Sequence, residues 1–264
     1  MLLKDRTAIV YGASGAVGGA VARAFAREGA QVILAARRRE PLDEVCQEIT
    51  SQAGLAVVMP VDASDAPAIK GHLQAVTDRF GPVNLMFNAI SWDDIQGPML
   101  SEMPFDQFFA PIQNGLTSWF HTGTALARHM AQHAGGTILG ITANAGREPL
   151  AGVGGFGVAC AAVEHYLRQL AVESGPYQVR VCWVRSPGSP DAPGVREAWQ
   201  LYGERMGMSF EQVHREFAKD VPLRRITPLA QVANAAVLLA THDPRLTRIA
   251  DRVLTLEKGR IRNE

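Results

Sequence analysis

The sequence predicts an α/β fold, a doubly wound parallel sheet of about seven strands with helices on both faces. Short apolar runs typical of buried strands alternate with longer segments of helical periodicity along the 264 residues. A glycine-rich turn joins the first strand to the first helix, and this βαβ order favours a parallel sheet. Because no repeat, low-complexity segment or linker interrupts the alternation, we expect residues 1–264 to form one domain.

The individual elements follow from hydrophobic periodicity and from the residues that end each run. The predicted strands cover residues 7–11, 31–36, 56–61, 84–88, 136–142, 179–185 and 252–256. The first helix ends at Gly29, and later helices are expected near 40–52, 64–79, 104–133, 155–174 and 228–241. An insertion over about 188–227 is rich in large apolar side chains, which predicts either a peripheral helical pair or a lid over an apolar ligand.

Charge and composition argue against several classes of function. Lys+Arg and Asp+Glu number 26 each, so the chain has no basic field for nucleic acid. Its apolar runs are shorter than the ~18–20 residues of a membrane-spanning helix, and no leader-like segment opens the chain. The three cysteines are widely spaced and match no metal-binding pattern. We therefore expect a cytoplasmic protein that binds a small molecule, with no metal, nucleic acid or membrane as a partner.

The stretch from Thr7 to Ala30 predicts a nucleotide-binding site. A buried strand runs into a turn that contains Gly12, Gly15 and Gly18, and a helix with one apolar face follows. The glycines let a pyrophosphate approach the backbone, and the free N–H groups and dipole of the helix N-terminus bind it. The alternative interpretation is a tight turn that binds no ligand.

The glycine turn also carries a family resemblance. It reads Gly12-Ala-Ser14-Gly15-Ala-Val17-Gly18 and, with the order of elements over residues 3–240, resembles the short-chain dehydrogenase/reductase family, whose turn is Gly-x3-Gly-x-Gly. The middle position of that pattern is Ala16, with Gly15 one residue early. The resemblance implies a Rossmann domain that holds a nicotinamide cofactor at Gly12, Ser14, Gly15, Val17 and Gly18.

The end of the second predicted strand indicates which cofactor is bound. NAD-specific sites place an acidic residue here to accept hydrogen bonds from the ribose hydroxyls, but this chain has Ala36 followed by Arg37 and Arg38. A guanidinium suits a 2′-phosphate through charge-assisted, bidentate hydrogen bonds. We therefore expect NADP(H) in preference to NAD(H); the alternative is that these arginines only begin a solvated helix.

The resemblance implies further cofactor contacts at the ends of later strands, namely Asp62, Ala63, Asn88, Ala89, Pro187 and Gly188. Asp62 matches the family residue that contacts adenine, although Asp62 or Ser64 would equally serve as a helix cap. Asn88 is the one residue retained from the family's Asn-Asn-Ala-Gly. The pair Pro187-Gly188 is similar to the loop over the nicotinamide but falls about one residue late.

The residues that carry the family's chemistry are missing. The family uses a Ser, a Tyr that donates the proton, and a Lys that lowers the pKa of the Tyr; the matching positions hold Ala143, Phe156 and Cys160. We call these three positions the reaction end. No Tyr-x3-Lys occurs elsewhere, and losing a general acid costs about 10²–10⁴-fold in rate. Candidate substitutes are Thr142, Asn144, Cys160, Asp93 and Asp94. The family's helix Asn falls at Gly115, and the neighbouring Asn114 is a further candidate.

Three functional hypotheses remain open from the sequence. The first is an atypical NADP(H)-dependent oxidoreductase that acts on an apolar small molecule, such as an activated C=C or imine whose proton comes from water or substrate. The second is a catalytically silent NADP(H)-binding sensor or partner subunit. The third is a non-redox isomerase or cyclase in the same pocket. The resemblance also implies a homo-oligomer, a dimer or tetramer formed through the helices near 104–133 and 155–174.

The C-terminal stretch carries a second, short resemblance. Residues 239–261 are similar to the last helix and strand of ABC-transporter ATPases, but no Gly-x4-Gly-Lys-Ser/Thr P-loop is present to hold ATP. We interpret this stretch as a segment that completes the sheet.

Overall fold

The central feature of the fold is a parallel sheet of six strands. The computed structural model describes residues 1–219, 221, 223–241, 255–257 and 260–262. The strands are β1 (Thr7–Tyr11), β2 (Gln31–Ala35), β3 (Leu55–Val58), β4 (Leu85–Asn88), β5 (Gly136–Ala143) and β6 (Val179–Ser186). Their order across the sheet is β3-β2-β1-β4-β5-β6, and every neighbouring pair is parallel. The predicted doubly wound α/β fold is confirmed.

Helices follow the strands and cover both faces of the sheet. They are α1 (Ala16–Arg27), α2 (Glu40–Ser51), α3 (Ala66–Phe80), α4 (Phe105–Gln132), α5 (Gly155–Ser174), α6 (Pro193–Met206), α7 (Phe210–Lys219) and α8 (Leu229–Ala240). One face packs against α1, α2 and α8, with Phe25 and Val237 buried there. The other face packs against α3, α4 and α5, with Trp119 and Leu167 buried there. The predicted helices match these bounds closely because each helix has a continuous apolar stripe.

The strand order reverses between β1 and β4: β2 and β3 follow on one side, and β5 and β6 on the other. At such a switch point α/β proteins bind ligands outside the carboxyl ends of their strands. Backbone hydrogen bonds continue past the strand ends there. The Ala89 N–H donates to the Tyr11 carbonyl at 2.9 Å, and the Gly12 N–H donates to the Ala35 carbonyl at 2.8 Å. The loops that leave this edge are therefore fixed by the sheet itself.

The insertion between β6 and α8 contains the helical pair α6 and α7 with a small apolar cluster of its own. Trp199, Val213, Ala218 and Ile226 are its buried members. Both ends of the insertion are joined at its base. The Ser189 hydroxyl donates to the Thr227 carbonyl at 2.9 Å, and the Asp191 carboxylate accepts from the Leu229 N–H at 3.0 Å. Whether the insertion acts as a lid stays a prediction.

The C-terminal segment differs from the prediction of a seventh strand in the parallel sheet. Thr255–Glu257 pairs with Arg260–Arg262 in a separate antiparallel hairpin, so the described residues form six parallel strands. Antiparallel neighbours need only a short connection, whereas a parallel pair needs a long crossover. Residues 242–254 and 258–259 lie outside the described residues. The described strands of 239–261 pair with each other, so they do not complete the parallel sheet as we expected. No helix in the described part of the chain is long and apolar enough to cross a membrane.

Candidate cofactor-binding site and reaction end

The turn between β1 and α1 requires two of its three glycines. Gly12 has a φ of +74°, and a Cβ there would lie 2.4 Å from the Ala89 carbonyl oxygen. A Cβ on Gly18 would lie 2.1 Å from the Gly12 carbonyl oxygen. Gly15 is less restricted, since its Cβ would meet that oxygen at 3.4 Å. Gly12 and Gly18 thus let the strand, the turn and α1 approach one another closely.

The N-terminus of α1 is open to an anion. Gly15 is the N-cap residue, no side chain caps the helix, and the first turn carries no acidic residue. The first backbone N–H groups of a helix have no intrahelical partners, and the helix dipole makes this end positive. The turn therefore has the properties of a pyrophosphate-binding loop.

A cleft of about 740 Å³ opens above this turn, and we call it the cofactor cleft. Most of the predicted cofactor residues line it, namely Gly12, Ser14, Gly15, Arg37, Arg38, Asp62, Ala63 and Ala89. The structure also adds residues that the sequence did not single out, including Tyr11, Ala35, Val61, Ile90, Gln113 and Thr117. These residues lie at the carboxyl ends of β1 to β4 and on α4. Only the order of the strands in the sheet brings them together, so periodicity within one segment does not reveal them.

Other predicted cofactor residues lie outside the lining of the cofactor cleft. Val17 is half-buried on α1, and Gly18 packs beneath Gly12. Pro187 and Gly188 begin the insertion, where the Gly188 N–H donates to the Ser186 hydroxyl at 3.1 Å. These residues shape the turn and the loop, and a role for Pro187 and Gly188 over the nicotinamide stays a prediction.

Asn88 fixes the backbone at the floor of the cofactor cleft. Its side-chain oxygen accepts from the Ile90 N–H at 3.0 Å, and its amide nitrogen donates to the Thr122 hydroxyl at 3.1 Å. That hydroxyl in turn donates to the Ser118 carbonyl at 2.7 Å. Asn88 is 1% exposed, and its hydrogen bond to Thr122 is buried. The structure thus ties the β4 loop to α4 through one buried amide.

Asp62 organises the loop after β3 and does not cap α3. Its carboxylate accepts from the N–H and the hydroxyl of Ser64 at 2.9 and 2.7 Å, and these bonds, with the charge of Arg37, lower the pKa of Asp62. The cap of α3 is Asp65, whose carboxylate accepts from the Ala68 N–H. The prediction that Asp62 or Ser64 caps this helix is therefore wrong, because the helix begins only at Ala66.

The three arginines after β2 differ in their surroundings. Arg39 forms an ion pair with Asp43 at 3.5 Å and lies outside the cofactor cleft. Arg37 and Arg38 line the cleft, and neither forms an ion pair with another side chain in the described part of the protein. Two unpaired guanidinium groups therefore lie at the cleft wall beyond β2.

Aromatic packing occupies the reaction end. The ring centroids of Phe156 and Trp92 are 5.7 Å apart, and Trp92 is 5% exposed. Trp92 in turn packs on Gly115, where a Cβ would lie 3.1 Å from the indole. The Asn114 amide donates to the Trp92 carbonyl at 3.2 Å and lines the cofactor cleft. Glycine at position 115 is thus what makes room for the tryptophan.

The proposed substitutes for the missing acid are mostly turned away from the cleft. Cys160 is fully buried, and burial raises the pKa of its thiol to about 12, so it is neutral at physiological pH. The Thr142 hydroxyl donates inward to Glu164 at 2.8 Å. The Asp94 carboxylate accepts from the Gln96 amide at 2.7 Å. Asp93 and Asn114 are the two candidates that line the cleft, and Asn144 begins a short turn after β5.

Sequence reasoning missed a buried carboxylate behind the reaction end. Glu164 lies one helical turn after Cys160 on α5 and forms an ion pair with Arg185 at the end of β6. Hydrogen bonds from Arg185 and Thr142 outweigh the effect of burial and lower the pKa of Glu164. The available signal was a glutamate on the core-facing stripe of α5. Among the described residues, no group of three or more His, Cys, Asp or Glu is placed to hold a metal.

The strand order, the cleft at the point where that order reverses, and the glycine turn define a Rossmann-type α/β protein. A family model described as short chain dehydrogenase matches residues 6–200. The chain belongs to this family of oxidoreductases.

Comparison with known proteins gives distant relatives along almost the whole chain. The 7alpha-hydroxysteroid dehydrogenase of Escherichia coli is 24% identical over 97% of this chain and 94% of its own. An uncharacterized oxidoreductase of Mycobacterium tuberculosis is 29% identical over 90% of this chain and 86% of its own. An uncharacterized oxidoreductase of Bacillus subtilis is 26% identical over 91% and 86%.

Two solved structures show the same fold. An actinorhodin polyketide ketoreductase crystallised with NADPH superposes with a TM-score of 0.81 at 22% identity, covering 92% of each chain. An NAD⁺-bound xylitol dehydrogenase superposes with a TM-score of 0.85 at 20% identity, covering 94% of this chain and 96% of its own. The two carry different nicotinamide cofactors, so the fold alone does not select between them.

Proposed function

We propose that this protein is an NADP(H)-dependent oxidoreductase that acts on an apolar small molecule without the family's Tyr–Lys pair. The observation that carries the proposal is the cofactor cleft, with its glycine turn at one end and the unpaired Arg37 and Arg38 at the other. A nicotinamide cofactor supplies or accepts a hydride when bound. The residues of the cleft determine where it is held.

The cleft fits a dinucleotide. Gly12, Ser14 and Gly15 would face the pyrophosphate, since the uncapped N-terminus of α1 lies beside them. Asp62 and Ala63 would face the adenine at the end of β3. A Cβ at Gly12 or Gly18 would disrupt this cradle, which explains why glycine occupies both positions.

The two cleft arginines support NADP(H) over NAD(H). A guanidinium that forms no ion pair among the described residues can donate charge-assisted hydrogen bonds to a 2′-phosphate, each stabilising by about 1.5–3 kcal/mol. The family's acidic residue, which would repel that phosphate, is replaced by Ala36. The electrostatics of the β2 end therefore favour the phosphorylated cofactor.

The reaction end supports a substrate that does not need a positioned phenol. Phe156 has no proton to donate, and Cys160 is buried and neutral. An activated C=C or an imine takes its proton from water or carries it already, so this class of substrate suits the site. The partly exposed ring of Phe156, backed by the buried Trp92, favours an apolar substrate body.

A fluorescence titration tests the cofactor proposal. NADPH is expected to bind about tenfold or more tightly than NADH. The single variants Arg37→Ala and Arg38→Ala should each reduce that ratio by weakening NADPH binding alone. Arg39→Ala is the matched control, because Arg39 pairs with Asp43 outside the cleft and should leave the ratio unchanged. Failure of NADPH, NADP⁺ and NADH to bind at millimolar concentration would refute the proposal.

A second candidate is a cofactor-binding protein without redox turnover, a sensor or the silent subunit of an assembly. The packing of Trp92 between Gly115 and Phe156 favours it, because these side chains occupy the reaction end. NADPH oxidation measured with activated alkenes, imines and ketones separates the two. Turnover of any of them supports the oxidoreductase. Tight NADPH binding without turnover, also after Phe156→Tyr with Cys160→Lys, supports the silent protein.

We also propose that the protein is a homo-oligomer, a dimer or a tetramer. The outer surfaces of α4 and α5 expose large apolar side chains, including Phe120 and Val158. An exposed apolar surface of this kind is typical of a protein interface. Light scattering coupled to gel filtration tests this, and a monomer at micromolar concentration would contradict it.

A further inference from the structure

Four side chains meet in the layer between α5 and the strands β5 and β6. The carboxylate of Glu164 accepts from the Thr142 hydroxyl and from Arg185 Nε, both at 2.8 Å, through the same oxygen. Its other oxygen accepts from Arg185 Nη2 and, at 3.4 Å, from Arg168 Nη2. The Glu164 side chain is only 3% exposed, and its four hydrogen bonds offset the cost of burying its charge.

The guanidinium of Arg185 is held along one edge only. Nε and Nη2 form a fork on the two oxygens of Glu164, and such a bidentate pair fixes the plane of the group. A guanidinium has five N–H groups in a rigid array, so both N–H groups of Nη1 and one of Nη2 remain. None of these has a partner in the part of the chain that the structure describes. A second fork is therefore available.

Arg185 is partly exposed to solvent and belongs to a cluster with net positive charge. The Arg185 side chain is 26% exposed, in contrast to the buried Glu164. Two guanidinium groups, those of Arg185 and Arg168, share the single carboxylate of Glu164, so the cluster has one positive charge in excess. Glu148 also acts on Arg185, but its side chain is exposed and water screens its charge.

Strand register places Arg185 at the reaction end. Thr142 is paired with Arg185 and Ala143 with Ser186, so Arg185 lies beside the strand that carries the family's serine position. Glu164 follows Cys160 by four residues, about 6 Å along α5. Cys160, at the family's lysine position on α5, and the guanidinium of Arg185 on β6 thus lie in the same layer. In this protein the positive charge of that layer is on the strand and not on the helix.

We propose that Arg185 binds a carboxylate of the substrate, so that the substrate is a small apolar molecule bearing an acid group. This inference rests on the proposed function, because it names the substrate class of the same site. Glu164 and Thr142 hold the guanidinium from behind, and the free fork matches the two oxygens of a carboxylate. Lysine would not replace it fully, since an ammonium presents a point charge without a fork.

Binding of a matched acid and amide tests the proposal. The probes are 4-fluorobenzoate and 4-fluorobenzamide, which have nearly the same shape and differ in charge, followed by ¹⁹F NMR with and without NADP⁺. The wild-type protein is expected to bind the acid about tenfold or more tightly than the amide. Arg185→Gln should abolish that preference, and Arg185→Lys should reduce it. Affinity for the amide should stay the same in both.

The matched control is Arg168→Gln. Arg168 also contacts Glu164, but it is 53% exposed and lies over the Trp183 ring. Its loss removes the excess charge of the cluster but leaves the Arg185 fork, so it should reduce the preference for the acid much less than loss of Arg185 does. Equal binding of acid and amide by the wild-type protein overturns the proposal, and needs no variant to fold. An unchanged preference in Arg185→Gln, or an equal loss in Arg168→Gln, also overturns it.

The outcomes separate this inference from the proposed function. NADPH affinity is measured on the same samples by fluorescence. Normal NADPH binding without a preference for the acid refutes the role of Arg185 alone. Absence of NADPH binding together with a preference for the acid that depends on Arg185 refutes the cofactor assignment and leaves the acid site standing.

Discussion

The cofactor end and the reaction end lie along the same edge of the sheet, but different parts of the chain form them. At the cofactor end the backbone forms the site, through Gly12, Gly18 and the loop that Asn88 holds by a hydrogen bond to the Ile90 N–H. At the reaction end side chains dominate, with Trp92 packed on Phe156. One end is therefore defined by backbone geometry, and the other by the packing of side chains.

This difference shows that the two halves of a dehydrogenase site depend on separate physical requirements. At Gly12 and Gly18 the backbone cradle tolerates no added methyl group, because the neighbouring carbonyl oxygens lie closer than a van der Waals contact. A packed aromatic contact tolerates exchange of functional groups as long as volume is conserved. Sequence changes at the reaction end therefore leave the cofactor end intact.

The largest expected effect comes from one methyl group at the cofactor end. In Gly18→Ala the new Cβ would lie 2.1 Å from the Gly12 carbonyl oxygen, so α1 must move away from the turn. We expect a loss of about 1–3 kcal/mol in the free energy of unfolding and at least a tenfold loss in NADPH affinity. Urea unfolding and fluorescence titration measure both.

Gly71→Ala is the control for this change. Gly71 lies inside α3 with nothing within 4 Å of its Cβ position, so alanine should stabilise the helix by about 0.5–1 kcal/mol. Normal cofactor affinity in Gly18→Ala would show that the turn is not the cradle, and would remove the contrast between the two ends.

The next effect concerns the buried amide of the β4 loop. Asn88→Ala removes the acceptor of the Ile90 N–H and the donor to Thr122, and we expect a cost of about 2–3 kcal/mol. Thr122→Val removes the second bond and the bond from the Thr122 hydroxyl to the Ser118 carbonyl, but it keeps the acceptor of the Ile90 N–H, so NADPH affinity should stay nearly unchanged. Equal losses of affinity in the two variants would mean that Asn88 acts through α4 rather than through the loop backbone.

A pH titration separates the scaffold from the reaction end. Burial lowers the pKa of His72 and of His129, so the unfolded chain takes up protons first as the pH falls below about 6.5. Stability should be full above that pH and fall by about 1 kcal/mol or more towards pH 5. The pKa of Glu164 is lowered, so its contribution is lost only at more acidic pH.

Chemical denaturation at a series of pH values measures this dependence. His72→Gln keeps a donor for the Met59 carbonyl and cannot titrate, so the loss of stability between pH 7 and 5 should become smaller. A slope that stays unchanged in this variant and in His129→Gln would assign the acid sensitivity to another group.

The smallest effect is expected at Cys160. Cys160→Ala removes one buried sulfur atom, which should cost about 1 kcal/mol and leave NADPH affinity unchanged. Because the thiol is buried with a pKa of about 12, iodoacetamide at pH 8 should not label it in the folded protein. Mass spectrometry of the labelled peptides checks this. Rapid labelling of Cys160 would show that the reaction end is open.

Much of the fold was predictable because its signals are local. The stripe of α1 and the buried run of β1 each occupy a few adjacent residues, and their periodicity depends on no distant contact. The start of α3 was harder to place. Asp62, Ser64 and Asp65 are all good caps within four residues, and only the helix register, set by packing, selects Asp65.

For the reaction end the sequence predicts only which residues stand at the family's three catalytic positions, and not how the side chains there pack. The resemblance to the family's catalytic segment identifies Ala143, Phe156 and Cys160, but the fit of Trp92 on Gly115 joins a loop to a helix. The pair of Glu164 and Arg185 likewise joins α5 to β6. No periodicity within one segment shows such pairings, because they arise from strand register and from the way the helix lies on the sheet.

The two hydrogen bonds at the base of the insertion have a consequence for how the protein can be engineered. They join Ser189 to Thr227 and Asp191 to Leu229, so the chain enters and leaves the insertion at neighbouring points. Ends held this close can be linked by a short connection, and the entropy of closure changes only slowly with loop length. The insertion between β6 and α8 should therefore be replaceable. Its removal, or its replacement by a segment of another length, should leave the parallel sheet and the glycine turn in place.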